Sequence, residues 1–491
     1  MNKRVERTAA FLTAILLILF SCACFSSDAP DLQPQKEPVN LIYYTIGNPD
    51  RDLAKVNSAL NDMLYEKLGI TITYNKIAWN DYHTRLTAII HSGAYFDIAF
   101  ASNSAQGDYI GNAAKGVWLP LDDYFDTLGK EMYEVIDPIY WDGIRYKGKI
   151  YGIPTNKETC VPEMFMFAKE LVDKYDIDIS KLTTIESLAP ILSLVASEDP
   201  EYIPFDFDSN ARNLFAQDAY ESLIDYLPLM INSYDKTCTI FNVLETSLGK
   251  ARIAMMRQYY QNGYINEDAA IKESGGLTAG EKVFCKMSSG GPYSDVAWSR
   301  DRGYDIVTQQ ISPKIVTTES TRGGIMAVSS KTQYPDECVS FLNALNTDPD
   351  IRNLINFGIE DVHYTLTSSG QVHQISDAYT GVQYTQGNWF ILKTTEGEPL
   401  DKWAEFRRFN RSATKSAALG FTPDTSSFAQ ELEACSKICD RYYAALMTGS
   451  VDNVVYLPRY LSELKAAGLD KIQSILQQQI NSWLREKNTV T

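Results

Sequence analysis

The sequence predicts an α/β protein of two lobes with a helix-rich C-terminal segment. Three observations lead there. The chain has 491 residues, more than one core sustains, because single hydrophobic cores stop growing at roughly 250–300 residues. Strand and helix patterns alternate from about residue 39. From Thr425 to the end the pattern is helical. An apolar share of 45% and an aromatic share of 12% supply enough material for two large cores.

Leu41–Thr45 (LIYYT) reads as a buried strand ended by Gly47-Asn48-Pro49. Asp50 then caps a helix that runs to Leu68, where Gly69 stops it. Ile70–Tyr74 alternates as a strand does, Tyr82–Ser92 reads as a helix, and Phe96–Phe100 makes a third strand. Such an order opens a lobe built on a parallel sheet, whose ligands gather at the carboxyl ends of the strands. Thr45–Asn48 and Asn103-Ser104 would then stand at the mouth of a cleft. The middle, 158–293, reads as mostly helical with a break at 199–209. Strands return at Ile306-Val307 and 325–328, and Pro335 opens a helix in which Cys338, Phe341, Leu342 and Leu345 keep helical period. Ile472, Ile475, Leu476, Ile480, Trp483 and Leu484 form a stripe after a Gly468 break, the pattern of a helix packed on a core.

The N-terminus is an address. The polar and basic stretch 2–7 (NKRVER) precedes an apolar run from Ala9 to Phe20 that is too short to span a bilayer, which needs ~20 residues. Leu19-Phe20-Ser21-Cys22 then resembles the lipobox of bacterial lipoproteins, with Cys22 as the lipidated residue and Cys24 as the lesser alternative. Residues 1–21 would be the signal peptide and 22–38 a tether stiffened by Pro30, Pro34 and Pro38. The other six cysteines are scattered, no CxxC occurs, and Cys435 and Cys439 share a helix face where disulfide geometry is poor. Buried free thiols are expected.

Charge and motif content exclude several classes. At a net charge of −17 with no basic run, the chain repels phosphate backbones, so nucleic acid is not its partner. No GxSxG, HExxH, Walker A or GxGxxG is present. None of the four histidines has zinc-like spacing, and no cofactor or metal is expected. Asp206-Phe207-Asp208-Ser209-Asn210 mimics the start of a calcium loop, but Ala211 stands where the turn needs glycine and Gln217 where it needs a bidentate glutamate. Among 62 acidic residues no catalytic pair stands out.

The stretch FDIAFASNSAQGDYIGNAAKGVWLPLDDYF (96–125), followed by WDGIRYKGKIYGIP (141–154), resembles the extracellular solute-binding proteins of ABC importers, family 1 type. KVFCKMSSGGPYSDVAW (282–298) is similar to that family's strand ending in a Gly-Pro-aromatic turn. PDECVSFLNALNTDPDIRNLINFGIEDVHYTL (335–366), QGNWFIL (386–392) and the region from Leu419 onward resemble the LipO-type lipoprotein branch, which carries a C-terminal extension. The resemblance implies a two-lobed periplasmic-binding-protein-like fold with a ligand cleft and hinge. It assigns 39–155 and 316–348 to lobe 1, 156–315 and 349–424 to lobe 2, and 425–491 to an extension packed on lobe 2.

The function implied is capture of a solute, with an oligosaccharide as the leading ligand, and its delivery to ABC permease subunits. The protein would be a non-enzymatic monomer, lipid-anchored on the outer face of the bacterial cytoplasmic membrane. The alternatives are a secreted carbohydrate-active hydrolase, which needs two cleft carboxylates, and a peptide-binding or sensing receptor on the same fold. A sugar site needs flat aromatics for stacking and planar polar groups for paired hydrogen bonds. The resemblance puts Tyr293 of the Gly-Pro-aromatic turn in that role. Trp389 in the GNWF turn, Trp298, Tyr109 and Trp79 are the other aromatic candidates, and Asn103 and Ser104 the polar pair.

Overall fold

The computed structural model describes residues 38–103, 107–210, 214–225, 227–273 and 281–490. The signal segment, Cys22, Cys24, nearly all of the tether, Ser104 and Ala211 lie outside the described residues.

The first lobe opens as the alternation predicts: β1 (Val39–Ile46), α1 (Leu53–Leu68), β2 (Ile70–Ile77), α2 (Tyr82–Ser92) and β3 (Ile98–Ala101). Helix α3 (Pro138–Ile144) and strand β4 (Gly152–Pro154) complete this stretch. The chain then builds the second lobe: β5 (Glu163–Ala168), α4 (Ala189–Glu198), β6 (Tyr202–Asp206), a small sheet of β7 (Tyr220–Ser222), β8 (Leu229–Asn232) and β9 (Phe241–Asn242), α5 (Ser247–Gln261), β10 (Lys282–Ser289), α6 (Ser294–Arg302) and β11 (Ile306–Gln310). Strand β12 (Ile315–Val316) and the short α7 (Thr318–Thr321) lead back to β13 (Ile325–Val328), α8 (Pro335–Thr347), α9 (Pro349–Phe357) and a hairpin, β14 (Tyr364–Leu366) with β15 (Val372–Gln374). Helix α10 (Lys402–Arg411) and β16 (Thr414–Lys415) precede the terminal helices α11 (Ala429–Met447), α12 (Asn453–Ala466) and α13 (Leu469–Val490).

Two sheets organise the lobes. The first has the order β2-β1-β3-β13-β4 and the second β11-β5-β10-β6. Strands β1 and β3 run parallel with Tyr43 opposite Ile98, and β13 runs antiparallel to both β3 and β4. Every residue of β3 and β13 is buried, which is why both strands read as unbroken apolar runs. Helix α1 buries Val56, Leu60 and Leu64, one stripe at four-residue spacing, and stops at Gly69 in the left-handed conformation. Asp50 does not cap it. The Asp50 carboxylate instead accepts from the Lys76 ammonium and the Thr380 N–H.

The largely helical reading of 158–293 is corrected by strands β5, β6 and β10. Strand β5 (EMFMFA) is buried along almost its whole length, so it carries no alternation to distinguish it from a helix. A second difference concerns 349–386, which the sequence reading gives to lobe 2. Helix α9 packs on α1, and Lys67 bonds both Asp348 and Asp350. His363 contacts Asp52 at 3.2 Å through Nε2, while its Nδ1 accepts from the Ile359 N–H. These contacts hold the segment to the first lobe. His363 and Tyr364 are both buried, and Tyr364 meets Phe357 of α9 edge-on.

The terminal helices share one core with the second sheet. Cys435, Leu446, Tyr460, Ile472, Leu476 and Ile480 belong to the same cluster as Phe165, Phe205 and Ile253. All six cysteines of the described residues are free and buried. The calcium-like stretch is occupied by fixed cations: Asp206 accepts from Lys272 at 2.8 Å and from Lys286 at 2.6 Å, and Lys286 also reaches Asp208. Among the described residues no helix is long and apolar enough to cross a membrane.

Candidate ligand cleft

The ends of β1 and β2 are tied together by the Gly47 N–H, which donates to the Ile77 carbonyl at 2.9 Å. Two residues beyond β2 comes Trp79. Its indole stacks on Tyr384, with ring centroids 5.8 Å apart and planes inclined by 22°. Tyr384 is 51% exposed, although its neighbours Thr385 and Gln386 are buried. Gln386 explains the contrast: its side chain accepts from the Tyr43 hydroxyl at 2.7 Å and donates to the Tyr74 hydroxyl at 2.9 Å. The segment passes so close to Gly324 that a Cβ there would lie 3.0 Å from the Tyr384 carbonyl. A side chain there would have to push the Tyr384 carbonyl or the Thr155 hydroxyl aside.

Next to this segment lies Arg352, fully buried. Its guanidinium donates to the Gln383 carbonyl at 2.9 Å and to Asn356 at 3.3 Å. These acceptors are neutral, and burial lowers its pKa to about 10. The charge is held by oriented dipoles around it. A second buried arginine, Arg322, stands at the end of β3. Its Nε donates to the Gly143 carbonyl at 2.8 Å, and its Nη2 to the Arg145 carbonyl at 3.2 Å and to Thr422 Oγ1 at 2.9 Å. Burial again lowers the pKa to about 10. Asn103 is exposed here; its N–H donates to the Arg322 carbonyl at 3.0 Å and its Oδ1 sits 3.4 Å from Arg322 Nη1. That last contact is long, so the Asn103 amide keeps most of its bonding capacity for solvent or ligand.

In the second lobe β10 ends at Ser289 and the chain turns through Gly290-Gly291-Pro292 into Tyr293. Tyr293 occupies the N-cap of α6 with φ 61°, a left-handed conformation uncommon for tyrosine. Its ring is half-buried, and burial followed by the Asp401 and Glu405 carboxylates raises its pKa. Trp298 lies one turn along α6 with its ring end over Gly290, where a Cβ would come within 2.6 Å of it. On α7, Glu319 has its pKa raised to about 6, by burial first and then by the carboxylates of Asp225 and Glu221.

The geometry sorts the sequence-chosen residues. Asn103 is exposed and Trp79, Tyr293 and Trp298 are partly buried, the first three at strand or turn ends and Trp298 within α6. Tyr109 is a correction: it is 0% exposed, donates to the Ile144 carbonyl at 3.0 Å and accepts from the Tyr151 N–H at 3.1 Å, so it is core. Trp389 is another. At 7% exposure it donates to the Gln383 carbonyl at 2.7 Å and packs edge-on against Phe406. It supports the Tyr384 segment and presents no face of its own. Tyr384 and Arg322 were missed. Thirty tyrosines dilute the first signal, but Arg322 before Gly323-Gly324 was a visible mark of a tight backbone approach.

Two lobes joined by several chain crossings, with aromatic faces and an exposed amide at strand and turn ends, are the architecture of a two-lobed binding protein. The sequence profile of bacterial extracellular solute-binding proteins matches residues 59–359, and a domain of unknown function matches 417–485. The chain belongs to the bacterial extracellular solute-binding proteins, whose role is capture for transport rather than catalysis. A carbohydrate ABC transporter substrate-binding protein of Streptococcus pneumoniae serotype 4 is 26% identical over 494 residues, which cover 99% of each chain. The crystal structure of an N-glycan transport solute-binding protein from S. pneumoniae superposes with a TM-score of 0.82 at 26% identity, over 91% of this chain and 100% of that one. For the complex of that protein with Man5GlcNAc the TM-score is 0.69, and with Man1GlcNAc it is 0.72, each over 91% of this chain and 99% of that one.

Proposed function

We propose that the chain captures an oligosaccharide between its lobes and delivers it to the permease subunits of an ABC importer. The observation that carries this reading is the Trp79–Tyr384 pair: two stacked rings, one of them 51% exposed, at the carboxyl-end edge of the first sheet. A pyranose offers an apolar C–H face to such a surface and hydroxyls to the amide of Asn103. Tyr293 and Trp298 supply the facing wall. Both the relative that transports carbohydrate and the one that transports N-glycans support a sugar ligand.

The TM-score is 0.82 for one structure of the N-glycan transport relative and 0.69 and 0.72 for its two glycan complexes, and we read the present lobe arrangement as the open one. Capture then selects a closed state that docks on the permease. The chain works as a monomer held at the outer face of the bacterial cytoplasmic membrane, with diacylated Cys22 as its anchor.

The test is calorimetric titration of the chain from Ser26 onward with neutral oligosaccharides, Man5GlcNAc among them, followed by product analysis. Saturable binding with the sugar recovered intact is expected. Absence of binding to every sugar, with binding of peptides, would overturn the ligand class. Cleaved sugar would restore the hydrolase. Labelled fatty acid should be incorporated by the full chain and by Cys24→Ala, and lost in Cys22→Ala.

A further inference from the structure

Residues 415–424 connect β16 to the terminal helices, and their bonds reach both lobes. Towards the second lobe, the Ala417 N–H donates to the Ser233 carbonyl at 2.8 Å, and Ala418 and Phe421 enter the large core. Helix α13 grips the same stretch. Gln479 accepts from the Asp424 N–H at 2.9 Å and donates to its carbonyl at 2.8 Å, while Phe421 meets Trp483 edge-on at 5.7 Å. Towards the first lobe the bonds are different in kind. Lys415 pairs with Asp142 of α3 at 2.6 Å. Thr318 of α7 accepts from the Gly420 N–H at 2.9 Å and donates to the Ala418 carbonyl at 3.2 Å. Gly420 (φ 94°) passes so near α3 that a Cβ would lie 3.0 Å from the Asp142 carbonyl. Thr422 accepts from the buried Arg322 guanidinium at 2.9 Å.

We propose that this segment is a clasp on the hinge, held by the C-terminal extension, which keeps the ligand-free lobes open. The clasp lies beside the β12–β16 pair, where the chain passes between lobes, so relative rotation of the lobes must strain or break its bonds to α3 and Arg322. The Thr422 bond matters most, because its donor is a buried cation whose other acceptors are neutral carbonyls and an amide. The exposed Lys415–Asp142 pair contributes less. The region matched by the domain of unknown function thereby acquires a role: it sets how much of the ligand's binding free energy is spent on closure. This rests on the reading that ligand brings the lobes together.

The experiment uses the chain from Ser26 onward, with Thr422→Val, Lys415→Ala and the double variant. Fluorophores on Glu66 of α1 and Ser193 of α4, each replaced by cysteine, report the distance between lobes without ligand. Titration with Man5GlcNAc reports affinity. The expected result is a shift of the ligand-free distances towards the closed value, and Man5GlcNAc binding about threefold to tenfold tighter in the double variant. Unchanged distances in a folded double variant, or a shift to more open ones, would overturn the clasp. So would weaker sugar binding. A shift in distance with no Man5GlcNAc binding by any form upholds the clasp and discards that sugar as ligand. If Thr422→Val does not fold, Asp142→Asn with Lys415→Ala removes only exposed groups and must move the distances in the same direction.

Discussion

Trp79 and Tyr384 come from distant parts of the sequence and meet as a stacked pair, 5.8 Å between centroids and 22° between planes. The pair is built from two independent supports. Trp79 leaves the end of β2, and Tyr384 is held up by the buried Gln386 and by Arg352 under Gln383. Removing either ring takes away half of one platform. Tyr384→Ala and Trp79→Ala should each weaken oligosaccharide binding about tenfold or more, and the double variant should cost less than the product of the two. Tyr384→Ala should leave the unfolding midpoint nearly unchanged, because the ring is 51% exposed. Titration calorimetry alongside thermal unfolding separates the two effects.

The carboxylates around α7 make stability depend on pH. Glu319 has a folded pKa of about 6 against an ordinary value of 4.5, so the folded state holds this proton more tightly than the unfolded chain does. Stability must therefore fall as pH rises from about 4.5 to about 6, and level off on either side as far as this group decides. Glu221 and Asp225, whose pKa values are also raised by burial, act in the same direction. Glu319→Gln should flatten the slope of the unfolding midpoint over that interval and raise the midpoint at pH 7. An identical slope in the variant would show that Glu319 titrates normally.

Gly387 is a strained position with no room for a side chain. Its φ is 66°, and a Cβ would lie 2.8 Å from both Arg352 Cδ and the Leu345 carbonyl. Alanine there combines left-handed strain with displacement of a buried arginine, a cost of about 1–3 kcal/mol. Gly387→Ala should lower the unfolding midpoint by a few degrees. Because Arg352 seats the carbonyl of Gln383, the same variant should also weaken sugar binding, whereas Gly148→Ala, left-handed but with open space around it, should not.

The first lobe was legible because its elements carry their own punctuation. Gly69 and Gly93 end α1 and α2 at the residues the pattern indicates, and Pro335 starts α8. Strand β5 was not legible, since Glu163–Ala168 is buried on both faces and periodicity cannot separate such a run from a helix. Aromatic candidates divided according to what their neighbours do. Trp389 sits in a turn that looks presentational, yet Trp403 and Phe406, more than ten residues later in sequence, close over it. The same holds for Tyr384 in reverse: nothing local marks it, and its exposure depends on Gln386 being satisfied by Tyr43 and Tyr74. Burial by distant segments is the information a single sequence lacks.

Asp206 shows how a calcium-like stretch can be closed to calcium. Its carboxylate is fully buried and accepts from two ammonium groups, Lys272 and Lys286, which are themselves only 7% and 14% exposed at the side chain. Glu281 and Asp208 complete the charge balance through the same lysines. A divalent cation entering here would have to displace both lysines into solvent. Addition of millimolar calcium, or of a chelator, should therefore leave the unfolding midpoint unchanged. Asp206→Asn keeps the shape and removes the charge, which leaves two buried cations short of an anion. The loss should be about 3–5 kcal/mol, the range for breaking a buried pair by one partner. Lys286→Met should cost less, because Lys272 still neutralises Asp206. If calcium stabilised the wild type, or if Asp206→Asn were as mild as Lys286→Met, the lysines would not be standing in the place of a metal.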